Sequence, residues 1–196
     1  MAALPQAGDI AVNGKFSKMQ IGKKPTPAVV VMGVAGSGKS VVGRALAKAL
    51  DARFVEGDIL HPPENVARMA SGLALTDADR EGWLDTIGKE IAHAAASGEA
   101  VVAACSALKR AYRDRLRRHQ VMPLAFIYLR IDPTTARLRV AGRKDHFMPA
   151  SLVESQFADL ERPADGEGAL ALDASLPIVE LVEASLQFLL AGEPLR

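Results

Sequence analysis

The chain has 196 residues and a mass of 20.8 kDa, which suits one domain. Its 24 basic and 23 acidic residues leave a net charge of +1 with no large block of either sign, against the basic excess of a dedicated nucleic-acid binder. Apolar residues are 49% of the chain, ample for a core, yet they never form the run of about 20 that a membrane span requires.

Residues 1–26, "MAALPQAGDIAVNGKFSKMQIGKKPT", lack the apolar stretch of a secretory signal and read as a poorly ordered extension. The remainder, 27–196, reads as one domain. The single cysteine, Cys105, excludes an internal disulfide and suits a reducing, cytoplasmic compartment.

Apolar runs then alternate with helical patterns. The runs are Ala28–Gly33, Ala52–Glu56, Ala100–Cys105, Pro123–Ile131 and Gly168–Ala174. Several are continuously apolar, as in parallel strands buried on both faces. Helices are expected over Lys39–Leu50, Glu81–Ala96 and Lys109–His119, and after Ser175, where Pro177 falls in the first turn. Such alternation predicts an α/β fold, a parallel five-stranded sheet flanked by helices. Two segments interrupt it, an insert at about 59–80 and a stretch at about 134–161. Inserts past strand ends are where α/β sheets bind ligands.

The first run leads into "GVAGSGKS", an ungapped G-x-x-x-x-G-K-[ST] motif with a strand before it and a helix after it. Gly33, Val34, Ala35, Gly36, Ser37 and Gly38 would wrap their amides round a polyphosphate. The helix N-terminus adds its positive dipole end. Lys39 would reach the β- and γ-phosphates, and the Ser40 hydroxyl would ligate Mg²⁺. No N-K-x-D element reads guanine, so ATP is the expected nucleotide.

The second run ends in "EGDILHPPENVARM". Asp58 would stand beside the cradle, where a carboxylate accepts the proton of an attacking hydroxyl or orients it. His61 and Asn65 suit hydrogen bonds to a polyol, and Arg68 is included in the same acceptor set. In "LTDADREGWL", Asp77 and Asp79 favour the start of a helix, with Asp79 kept as a substrate candidate. Arg80 suits a carboxylate or phosphate, and Trp83 reads as core. After the third run, Cys105 reads as inert, Ser106 as a substrate contact, and Lys109 and Arg113 as the basic residues nearest the strand end. Arg137, Arg139, Arg143, Lys144 and His146 give the 134–161 segment the character of a mobile lid. Arg137 and Arg143 are expected on ATP, with Arg143 neutralising charge during transfer and His146 near the substrate.

Together "GVAGSGKS", "EGDILHPPENVARM", "LTDADREGWL", "ACSALKRAYRDRLR" and "HFMPASLVESQFADLE" resemble the gluconate kinases of the P-loop small-molecule kinase group. The resemblance covers about residues 29–161. It implies ATP-dependent phosphorylation of D-gluconate at the 6-hydroxyl, a nucleoside-monophosphate-kinase-like fold, and a homodimer. Under it, Asp58 meets the 6-hydroxyl, while Arg80, Arg113 and His61 hold the acid and its hydroxyls. The sequence departs from the family pattern at Ala35, Gly82 and Asp145, where serine, proline and glycine are common. A shikimate kinase is disfavoured because "CSALK" stands where a glycine triplet would follow the third strand. A nucleotide switch without a small substrate would not need Asp58, Arg80 and Arg113.

Overall fold

The computed structural model describes residues 28–142, 149 and 151–191. The extension 1–26 and the candidates Arg143 and His146 lie outside the described residues.

Five parallel strands run β1 (Ala28–Met32), β2 (Arg53–Glu56), β3 (Val101–Ala104), β4 (Leu124–Arg130) and β5 (Ala169–Asp173), side by side in the order β2-β3-β1-β4-β5. Ala28 of β1 pairs with Val101 of β3 on one side and Leu124 of β4 on the other. The inner strands β1 and β3 are buried throughout, whereas the edge strand β5 is partly exposed. That is why the inner runs read as unbroken apolar sequence.

Successive side chains alternate between two cores. Val30 and Met32 pack with Trp83, Leu84, Ile87 and Ile91 of helix α3 (Asp77–Ala96) and with Tyr112 and Leu116 of α4 (Arg110–Arg117). Val29 and Val31 pack with Val42 and Leu46 of α1 (Lys39–Leu50) and with Leu181 and Val182 of α7 (Ile178–Ala191). A third cluster caps the sheet beyond β1. There Val34 and Ala35 meet Ala136 and Val140 of α5 (Pro133–Ala141) and Leu152 and Val153 of α6 (Leu152–Asp159).

The expected α/β architecture is present, with local differences. Helix α3 begins at Asp77, four residues before the expected start. Thr76 accepts from the Asp79 amide at 3.2 Å while the Asp79 carboxylate accepts from the Thr76 amide at 2.8 Å, a reciprocal cap. The insert contains a further helix, α2 (Pro63–Ala70), and the 134–161 segment contains α5 and α6. Helix α4 ends at Arg117 rather than His119.

Between β2 and α2 the chain makes a 3-10 turn over Gly57–Leu60. Its first residue must be small, because a Cβ on Gly57 would collide with the Ala104 carbonyl oxygen and press on Ile87. Gly57→Ala is expected to cost about 1–3 kcal/mol through overpacking and to displace the turn from β3. Urea denaturation checks this; an unchanged midpoint would contradict it.

Candidate active site

The cradle is built by backbone geometry. Gly36 and Gly38 sit at φ 82° and 95°, a left-handed region open to glycine at little cost. A Cβ on Gly36 would lie 2.6 Å from the Ala136 carbonyl oxygen, so the loop lies directly against α5. Gly38 caps α1 without any side-chain cap, and a Cβ there would meet nothing within 4 Å. The first turn of α1 carries no acidic residue. An unopposed helix dipole and free space at Gly38 fit a polyphosphate. Lys39 Nζ donates to the Val34 carbonyl at 3.1 Å, folding the cation across the loop, and Ser40 follows it, half-buried.

Neighbouring elements hold this loop. The Ser106 carbonyl accepts from the Gly33 amide at 3.2 Å, so this residue serves the site through its backbone. Arg139 Nη1 donates to the Gly36 carbonyl at 3.4 Å and to the Ala174 carbonyl at 3.3 Å, tying the cradle to the end of β5. The Gln156 side-chain oxygen accepts from the buried Ala35 amide at 2.7 Å.

The acceptor side is assembled round Trp83. Its indole N–H donates to the Gly57 carbonyl at 2.7 Å, fixing the turn that carries Asp58. On the same indole His61 stacks with ring centroids 4.0 Å apart and planes 12° apart. Trp83 is therefore both core and platform. Burial lowers the His61 pKa to about 4; the Asp58 charge opposes the shift and Arg80 adds to it. Burial likewise raises the Cys105 thiol to about 12, with Asp58 adding and Lys39 and Arg80 opposing. Cys105 lies just beyond β3, at the end of the parallel sheet where the cradle follows β1 and the turn bearing Asp58 follows β2. Cys105 stays protonated and inert, as expected from the sequence.

Arg80 is 5% exposed and makes few contacts among the described residues. Its Nη2 lies 3.9 Å from Asp159 Oδ2, its Cζ lies 5.8 Å from the Tyr112 ring centroid, and its Nε makes no hydrogen bond among those residues. Lys109 Nζ bridges Asp77 at 2.7 Å and Asp159 at 3.3 Å, and Tyr112 also donates to Asp77. The Lys109 and Tyr112 hydrogen bonds hold the Asp77 carboxyl below its usual range.

The remaining candidates fall in three places. Asn65, buried, donates to the Asp79 carbonyl at 2.8 Å, and Arg68 donates to the Ala74 carbonyl at 3.1 Å while lying 3.6 Å from the Asp79 carboxylate. These three brace the corner between α2 and α3. Arg113, expected on the substrate, is wholly buried and turned inward. It pairs with Glu167 through Nε at 2.8 Å and Nη2 at 3.2 Å, and its Nη1 donates to the Ala107, Leu108 and Glu161 carbonyls. Its donors are taken up inside the fold. Arg137, expected on ATP, pairs with Glu154 at 2.7 Å on an exposed surface, and the neighbouring Arg139 touches the cradle instead.

Sequence reasoning did not single out Gln156, Asp159 or the role of Arg139. Gln156 lies inside the quoted "SQF" stretch, but only the fold shows that it reaches a loop 121 positions earlier.

A strand, a glycine loop and a helix N-terminus with Lys39 and Ser40 at the end of a parallel sheet define a P-loop kinase. Residues 29–164 match the family model described as "AAA domain". A gluconokinase of Gluconobacter oxydans is 47% identical over 150 residues, covering 76% of this chain and 82% of that protein. The crystal structure of a gluconokinase from Sinorhizobium meliloti superimposes with a TM-score of 0.76 at 44% identity, covering 86% of this chain and 94% of that one. A sugar kinase from Janibacter gives a TM-score of 0.80 at 41% identity, covering 84% and 95%. The chain belongs to the gluconokinase family.

The stacked His61 yields a pH prediction. Its folded pKa lies below the unfolded value of about 6.5, so the neutral ring contributes stability that is full above that pH and declines as pH falls toward 4. NMR titration of its ring protons is expected to give a midpoint near 4. A midpoint at or above about 6.5, the unperturbed value, would contradict the buried stack.

Proposed function

We infer that the protein is a gluconokinase that phosphorylates the 6-hydroxyl of D-gluconate with ATP, giving 6-phosphogluconate and ADP. The observation that carries this is that the phosphate cradle after β1 and the turn bearing Asp58 after β2 open at the same end of the parallel sheet, with the buried Arg80 on α3, in a chain of this family. Bound Mg-ATP supplies the phosphoryl group and a divalent countercharge. The cradle of Gly33 to Gly38, through those amides not already taken by Ser106, Gln156 and Val34, holds the polyphosphate together with the Lys39 ammonium. Among the described residues no group of three or more His, Cys, Asp or Glu could cage a metal, so Mg²⁺ would rest on the Ser40 hydroxyl and phosphate oxygens.

Asp58 accepts a hydrogen bond from the 6-hydroxyl and aims its oxygen at the phosphorus. Arg80 takes the acid's carboxylate, for which an incompletely paired buried guanidinium is suited. Neutral His61 offers a ring nitrogen to the sugar hydroxyls. Asn65, Arg68 and Asp79 keep the insert at about 59–80 folded over them, and Ser106 and Arg113 keep the loops beyond β3 in place. Within the segment at about 134–161, taken as a lid, α6 stays seated on the cradle while Arg143 and His146 close on the substrates and exclude water, with Arg137 joining them on release from Glu154. The same reading takes 27–196 as one kinase domain, a homodimer as the assembly and the cytoplasm as the compartment, carried by the family resemblance and the single cysteine. No helix among the described residues is long and apolar enough to cross a membrane.

ADP release from Mg-ATP, measured with D-gluconate, other aldonic acids, shikimate, nucleoside monophosphates or no acceptor, is expected to rise strongly with D-gluconate. A stronger response to shikimate or a nucleotide would overturn the assignment. Asp58→Asn is expected to lower kcat by about 10²- to 10⁴-fold while nucleotide affinity changes little. Near-normal turnover would remove Asp58 from the reaction.

A further inference from the structure

We propose that Gln156 is a positioning residue for phosphoryl transfer, holding the nucleotide cradle from helix α6; the proposal rests on the gluconokinase reading. Its side-chain oxygen accepts from the Ala35 amide at 2.7 Å, and both residues are buried, at 9% and 7% exposure. A buried amide that lost this acceptor would seek another by shifting the loop. The cradle is therefore preset by a protein group rather than shaped by its ligand alone.

What α6 carries next makes this more than a local tie. Asp159 lies three positions after Gln156, on the same side of the helix. It stands 3.3 Å from Lys109 Nζ and 3.9 Å from Arg80 Nη2. One eight-residue helix thus holds the phosphate cradle with one side chain and, with another, pairs with Lys109 beside Arg80. Leu152 and Val153 lock it in the cluster that contains Val34, Ala35 and Ala136. The spacing between the phosphorus and the attacking oxygen follows from the seat of this helix. Gln156 sets that seat on the nucleotide side.

The test uses Gln156→Ala and Gln156→Glu. Amide hydrogen exchange of Ala35 without nucleotide, affinity for Mg-ADP, kcat and both KM values are measured in the full chain. Gln156→Ala is expected to expose the Ala35 amide, speeding its exchange at least tenfold, and to lower kcat by about 10- to 100-fold with KM for gluconate nearly unchanged. Gln156→Glu keeps an acceptor, so Ala35 protection and most of kcat return. Its charge beside the polyphosphate then raises KM for ATP and weakens Mg-ADP binding by about tenfold. Wild-type kcat in Gln156→Ala, or wild-type nucleotide affinity in Gln156→Glu, would overturn the proposal. A wild-type protein inactive on gluconate would instead refute the gluconokinase reading, while Ala35 exchange and Mg-ADP affinity would still decide the role of Gln156.

Discussion

A guanidinium kept almost entirely from water, with its counter-charge beyond hydrogen-bond reach, is the constraint on which the acceptor half of this structure depends. Burying a cation is costly unless it is paired and hydrogen-bonded. Arg80 has Asp159 only at 3.9 Å, the Tyr112 ring at 5.8 Å and an Nε without a partner among the described residues. Helices α3, α4 and α6 converge to make that burial tolerable. Asp77 and Asp159 balance Lys109 and Arg80, and the Thr76–Asp79 cap fixes the helix turn from which Arg80 projects. On the proposed reading, the Arg80 Nε, without a partner among the described residues, is the donor left for the carboxylate of the substrate.

The nucleotide half solves the opposite problem. There the donors are backbone amides, held in a left-handed path by contact with α5 and by the hydrogen bonds of Ser106, Arg139 and Gln156. The two halves adjoin at the end of β3, where the Ser106 carbonyl accepts from the Gly33 amide and Gly57 lies against the Ala104 carbonyl. Trp83 links them to the core through its bond to Gly57 and its stack with His61, which keeps the turn bearing Asp58 from drifting.

The legible parts were those whose cause is local in sequence. The cradle is eight consecutive residues, and the inner strands betray two-sided burial by unbroken apolar runs. The start of α3 was legible too, since Thr76 and Asp79 have the spacing of a capping box, yet the expected helix began at Glu81. What stayed hidden depends on chain-distant partners. Arg80 and Arg113 look alike as basic residues near strand ends. Only the fold gives Arg113 a bidentate partner 54 positions away and leaves Arg80 incompletely satisfied. That Arg139 rather than Arg137 touches the cradle loop has the same origin, because Arg137 pairs with Glu154 at the surface.

The most direct measurement compares D-gluconate with its neutral amide as acceptors for the wild-type protein and for Arg80→Met, with Arg80→Lys as the charge-retaining control. The account predicts that the wild type favours the acid by about 10²-fold or more in kcat/KM, that Arg80→Lys keeps part of this preference, and that Arg80→Met loses it. An undiminished preference for the acid in Arg80→Met would show that another group reads the carboxylate, and would contradict the account.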